Sequence, residues 1–320
     1  MLTTFYFDSE LFQEDLLIDN NLNHSVLLEH WEKYGCYCYS NESVGAIHLI
    51  LKNIQHKYRQ KWNIAFTEFT KRRTILKMDN ISSYSNYDEL NADFSQENIK
   101  VGFITSTYTE LYPTGKKKGK TEVLSINEIY DSEYFINSED YSQRDILEKE
   151  KITDIWNSRF LELSLCTKVI TIIDRYLIKN AIDDLNKGKK TSLSNFINLL
   201  SKNNKKIAIN VYSACDIDGD STNKADIISV IDNVKNKPFF NSKNITLKVS
   251  LCKNKYFSQV AHDRMIRFDN HVVQIGTGFE IFRDKEIVFT TFNIKTHRYT
   301  HFKKVYAYLV NNKDTRFIGL

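Results

Sequence analysis

Short apolar runs alternate with amphipathic stretches through the second half of this 320-residue chain. Lys168–Asp174, KVITIID, is the continuous β-branched run of a strand buried on both faces. A polar turn follows, then a helical segment through Leu185. Thr191-Ser192 opens SLSNFINLLSK, in which Leu193, Phe196, Ile197 and Leu200 fall on one helical stripe. Lys206–Tyr212 (KIAINVY) predicts the next strand, Ala225–Val234 a helix and Ile245–Leu251 another strand. Ala261–Phe282 is expected to supply two more strands, and VFTTFNI (Val288–Ile294) closes the series. Strands alternating with helices predict an α/β domain, a doubly wound mixed sheet covered on both faces, whose ligands sit beyond the strand carboxyl ends.

The first half is patterned less clearly. Thr4–Asp8 and Lys100–Thr105 predict strands, while His24–Tyr34 and Val44–Arg73 predict helices, the second broken near Gln60–Trp62. Ser142–Leu165 predicts one helix leading into the second domain. The acidic, Tyr- and Ser-rich stretch SINEIYDSEYFINSEDYSQ places the boundary within 125–150. The expectation is a mixed, α-rich, locally basic domain over 1–140, without an assigned role, and an α/β domain over 141–320.

Composition narrows the class. With 42% hydrophobic and 13% aromatic residues the chain is a globular protein, and its net charge of +4 neither demands nor excludes a polyanion. The five cysteines are an odd number with one C-x-C pair, Cys36 and Cys38, the usage of reduced thiols rather than of a disulfide framework or zinc knuckle. The N-terminus is acidic where a signal peptide is basic, and no apolar run reaches the ~18 residues that span a bilayer, so a cytoplasmic location is expected. The bias toward Lys, Asn and Ile is that of AT-rich bacterial coding.

Candidate chemistry concentrates in Ala261–Phe282, AHDRMIRFDNHVVQIGTGFEIF. His262 and Arg264 are two apart and project alike from an extended backbone. Asp269 and Gly276-Thr277 follow at fixed distances. The pattern H-x-R-x4-D-x6-G-T resembles the phospholipase D signature H-x-K-x4-D-x6-G-S/T, with Arg264 in place of lysine. Within that superfamily, HDR-x-IRF-x-N followed by I-G-x-G and an aromatic is most similar to the phospholipase D-like C-terminal module of MIT-domain proteins. The residues concerned are His262-Asp263-Arg264, Ile266-Arg267-Phe268, Asn270, Ile275-Gly276, Gly278 and Phe282.

The resemblance implies a phospholipase D-like fold over at most residues 150–320. It also implies a phosphodiester-recognising protein that binds or acts on nucleic acid, and the bacterial source that the composition suggests makes anti-phage defence an expected setting. His262 would attack phosphorus, Arg264 would clamp phosphoryl oxygens, Asp269 would hold the imidazole in one tautomer, and Gly276 and Thr277 would offer donors. That chemistry needs no metal and no cofactor. Family sites face two such motifs toward each other, and this chain has one. His301-Phe302-Lys303 lacks the downstream aspartate, so an active form implies a homodimer. The family pattern continues G-S-x-N, whereas here Gly276-Thr277-Gly278 is followed by Phe279. The alternative is the property of the MIT-associated module itself, a non-catalytic dimer that binds acidic membrane lipid, or else a protein partner.

Weaker signals lie elsewhere. TGKKKGKT imitates a phosphate-binding loop with its first glycine one place late, so Lys116, Lys117 and Lys118 read as a basic loop touching phosphates non-specifically. Lys57, Arg59, Lys61 and Lys71-Arg72-Arg73, the last read as a helix end, add local basicity, and Tyr58 and Trp62 are candidate base-stacking rings. The stretch from Asp216 to Asp220 begins like a calcium loop but lacks the sixth-place glycine and the twelfth-place glutamate, which favours helix capping. Asp8, ending the first strand, is a lone candidate for a metal nuclease centre.

Overall fold

The computed structural model describes residues 1–7, 9–12, 21–52, 54–105, 112, 120–217, 220–221, 223–260 and 264–318. The chain divides into two compact units, Met1–Tyr141 and Ser142–Leu320.

In the first unit, β1 (Thr3–Phe7), β2 (Gly35–Tyr39), β3 (Lys71–Arg73), β4 (Val101–Phe103) and β5 (Glu122–Leu124) form one sheet in the order β3-β2-β1-β4-β5. Every pair is parallel. Crossover helices include α1 (Asn21–Tyr34), α2 (Asn41–Leu51), α3 (His56–Glu68) and α4 (Tyr87–Gln96), and α5 (Glu133–Gln143) follows β5. A central parallel strand needs both faces covered, and β1 is buried at all its positions. Phe5 and Phe7 pack with Trp31, Trp62 and Phe103, while Tyr6 between them packs with Cys38 and Phe94. This half is helix-rich and mixed, and the sheet that the pattern left unassigned is wholly parallel. Its outer strands are three residues long, too short to register as a hydrophobic pattern.

Two helix boundaries also move. The break in Val44–Arg73 comes after Leu51, and Lys71-Arg72-Arg73 is the edge strand β3 rather than a helix end. The Lys71 ammonium still serves the helix before it, donating to the carbonyls of Phe66 and Thr67 near the end of α3.

The second unit holds a mixed seven-stranded sheet. Its strands are β6 (Val169–Ile173), β7 (Ile207–Ala214), β10 (Ile245–Cys252), β11 (Met265–Phe268), β12 (His271–Ile275), β13 (Phe292–Thr296) and β14 (Lys313–Ile318), in the order β13-β12-β11-β6-β7-β10-β14. β6, β7 and β10 are parallel, and the others join antiparallel. A two-stranded ribbon, β8 (Asp216–Ile217) with β9 (Asp220–Ser221), follows β7. The helices are α6 (Ile152–Ile155) and α7 (Leu161–Cys166), joined by a π-helical turn at Trp156–Phe160, then α8 (Leu177–Asn186), α9 (Ser192–Ser201), α10 (Lys224–Lys235), α11 (Asn254–Val260) and α12 (Phe302–Asn311). The single helix expected over 142–165 is interrupted. Buried Arg159 donates to the carbonyls of Arg144 and Asp145, holding that stretch as a non-helical connection.

Alternation along each strand divides the core. Phe268 and Phe292 face an aromatic layer with Phe160, Phe196 and Phe282. Met265, Val272 and Ile173 face the other way, onto Phe302, Val305 and Leu309 of α12. VFTTFNI is strand only from Phe292, and Val288 and Phe289 are exposed. β14, unforeseen in the pattern, pairs with β10 at the opposite edge.

Candidate functional site

β6 ends at Ile173, and Asp174-Arg175-Tyr176 leads away from its carboxyl end toward α8. β11 runs antiparallel to β6 with Met265 opposite Ile173, so Arg264, one residue earlier, arrives at that same end. β12 returns with Gln274 opposite Met265 and delivers Gly276-Thr277-Gly278-Phe279. Tertiary pairing thus brings Arg264, Gly276 and Thr277 together at the carboxyl end of a central strand, where ligands of such sheets bind.

Their contacts are internal. The Arg264 guanidinium donates to the Thr277 carbonyl, and its central carbon lies 5.1 Å from the Tyr176 ring centroid. Arg175 is 5.0 Å from the same ring. Beside them Asp174, 3% exposed, accepts the Tyr176 N–H at 2.8 Å and the Phe279 N–H at 2.7 Å on its two oxygens. Burial pushes the Asp174 carboxyl above its ordinary range, against the Phe279 N–H, the Arg264 charge and the Tyr176 N–H, which favour the ionised form. Gly278 sits at φ +67°, and a side chain there would overlap Arg264 and Asp174. The crevice lined by Ile173, Asp174, Arg264, Met265, Ile266, Ile275, Gly278 and Phe279 admits no water molecule.

The main-chain donors expected from the Gly-Thr turn are committed to the protein. The Gly276 N–H goes to the Thr291 carbonyl at 3.0 Å and the Thr277 N–H to the Thr290 hydroxyl at 2.9 Å. A carboxylate of the chain, Asp174, shares with Arg264 the crevice where the sequence reading expected a phosphate.

Asp269 is not part of this cluster. It lies at the other end of β11 from Arg264, in the two-residue turn joining β11 to β12, and has φ +43°. Its carboxylate accepts the N–H groups of Lys168 at 2.7 Å and Val169 at 3.1 Å, anchoring the start of β6. The role of orienting an imidazole is corrected to that of a turn anchor, because four strand residues of ~3.4 Å rise separate Asp269 from Arg264. His262, the three lysines Lys116, Lys117 and Lys118, and Asp8 lie outside the described residues.

Other candidates resolve into structure. Tyr58 and Trp62 are buried: Tyr58 stacks on His24 and Trp62 donates to its Nδ1 at 2.9 Å, so neither ring meets a base. Asp216 accepts the Asn254 N–H at the start of α11 at 2.5 Å, and Asn223 caps α10 through the Asp226 N–H. No group of three or more His, Cys, Asp or Glu side chains able to hold a metal ion occurs among the described residues. In the same set no helix is long and apolar enough to cross a membrane. A separate cleft of about 550 Å³ between the 149–153 turn, α9 and the 282–287 segment carries Lys149, Lys151, Lys190 and Lys202.

Sequence reasoning missed Asp174, Arg175 and Tyr176 as site residues. Their one signal was an aspartate ending an apolar strand run, which acquires meaning only once β11 is placed beside it. No family model matches the chain, and no curated protein matches it.

Proposed function

We propose that the second unit is a phospholipase D-like domain that recognises phosphodiester-bearing ligands, nucleic acid first among them, as a binding module and does not turn them over. The signature resemblance supports the recognition, and one observation supports the absence of turnover: buried Asp174 shares with Arg264 a seat too small for water, and the turn amides that would receive phosphoryl oxygens are already bonded within the protein. Opening that seat would strand a buried carboxylate and two N–H groups, a cost of about 1–3 kcal/mol for each neutral group and more for the charge. A single motif per chain points the same way, since turnover needs a second histidine.

The test is a phosphodiesterase assay with bis(p-nitrophenyl) phosphate and labelled single- and double-stranded nucleic acid, run with chelator present. Wild type and His262→Ala are expected to be equally inactive. Chelator-resistant turnover that His262→Ala abolishes, together with a dimer in sedimentation, would reinstate the catalytic reading.

A further inference from the structure

A second surface gathers around the Asp269 turn, at the end of the sheet away from Arg264. No aspartate or glutamate occurs between Glu286 and Asp314, in a chain that carries 40 acidic residues in 320. Within that acid-free stretch stand Lys295, His297, Arg298, His301, Lys303 and Lys304. The fold draws them to one place. The His297 N–H donates to the Asn270 carbonyl at 2.7 Å, Lys168 and Val169 donate to the Asp269 carboxylate, and Arg267 lies 5.5 Å from the ring of Phe302.

Lys168, Lys295, Arg298, His301, Lys303 and Lys304 are exposed, and Tyr299 is 62% exposed in their midst. Lys168, Lys295, Lys303 and Lys304 form no ion pair among the described residues. The nearby carboxylate, Asp269, is bonded on both oxygens to main-chain N–H groups. Exposed cations spread along a turn and the start of a helix track a phosphate backbone, and an exposed ring among them offers a base a surface to stack on. A bilayer would ask for protruding aliphatic or tryptophan side chains, and Val169, at 41% exposure, is the aliphatic one offered here.

The geometry points to this patch as a binding surface for single-stranded nucleic acid, with Lys168, Lys295, Arg298, Lys303 and Lys304 on phosphates and Tyr299 under a base. It rests on the reading of the domain as a phosphodiester-binding module and assigns the contact to a surface that the signature motif does not include. It also gives the acid-free stretch, and His301-Phe302-Lys303 within it, a part that does not depend on a second half-site.

The test is fluorescence anisotropy of the full chain with a labelled oligo(dT) of about 20 nucleotides over a salt series. Wild type should bind with a log–log salt slope that the triple variant Lys295→Ala/Lys303→Ala/Lys304→Ala lowers by about 2, since each phosphate contact to a single strand contributes ~0.7. Tyr299→Ala should weaken binding roughly fivefold or more and leave the slope unchanged. Lys187→Ala/Lys189→Ala/Lys190→Ala, a control of equal charge on the same unit, should bind like wild type. Oligonucleotide binding that survives the patch variants or is lost in the control overturns this surface and leaves the module reading standing. Absence of any binding, or binding only to phosphatidylserine vesicles, overturns the nucleic-acid assignment in both.

Discussion

Replacing Gly278 by alanine probes the closed crevice most directly. Gly278 and Gly188 share φ +67°, so an L side chain meets the same left-handed penalty of about 1–2 kcal/mol at either position. They differ in space. A Cβ on Gly188 meets nothing within 4 Å, whereas one on Gly278 overlaps Arg264 Cδ and Asp174 Oδ2 and sits 2.9 Å from Arg264 Cβ. Forcing a methyl into a filled crevice adds about 1–3 kcal/mol. Gly278→Ala should therefore cost about 2–5 kcal/mol, and Gly188→Ala only the conformational part.

For a unit of this size, 1 kcal/mol lowers Tm by about 2–4 °C, so the Gly278 variant should melt roughly 4–20 °C lower. Differential scanning calorimetry of the full chain reads this, with amide exchange across β11 and β12 assigning the affected transition. Arg264→Ala removes part of the obstruction and not the dihedral, so the cost of Gly278→Ala in that background should fall by about 1 kcal/mol. Equal losses at Gly278 and Gly188 would refute the filled seat and reopen the site to an anion.

Three further outcomes follow from the same contacts. Asp269→Ala loses both main-chain bonds at a left-handed position and should lower stability by about 1–3 kcal/mol in urea titrations, while Asp269→Asn, which tolerates that dihedral and keeps one acceptor, should lose about half as much. Asp174 binds its proton more tightly folded than unfolded, so the stability it contributes is full below its ordinary 3.8 and is lost as pH rises through the raised value. Wild type measured against Asp174→Asn should accordingly lose ground with pH above about 4, by up to ~1.4 kcal/mol per unit, and a flat or rising difference would contradict the burial argument. The Thr191 hydroxyl accepts the Ser194 N–H at 3.1 Å to open α9, so Thr191→Ala should cost about 1 kcal/mol and Thr191→Ser little.

Elements whose patterns run long were legible from residues alone. KVITIID contains β6, KIAINVY overlaps β7, and SLSNFINLLSK is α9 with its threonine cap, because an unbroken patterned run of seven or more residues and a local capping bond need no distant partner. The sheet of the first unit was hidden, since β3, β4 and β5 carry three residues each and owe their extension to parallel neighbours. Spacing brought Arg264 and the Gly-Thr turn into one group correctly, as a short hairpin carries its own register. It also drew in Asp269, which the same hairpin sends to the opposite end.

That Asp174, just past the end of β6, closes on Phe279 105 positions later could be decided only by the fold. The sequence alone determined which residues carry charge and which stretches bury. The pairing of β6 with β11 decided which charges meet, because bringing a carboxylate and a guanidinium from distant segments into one water-free crevice depends on contacts that no local pattern encodes.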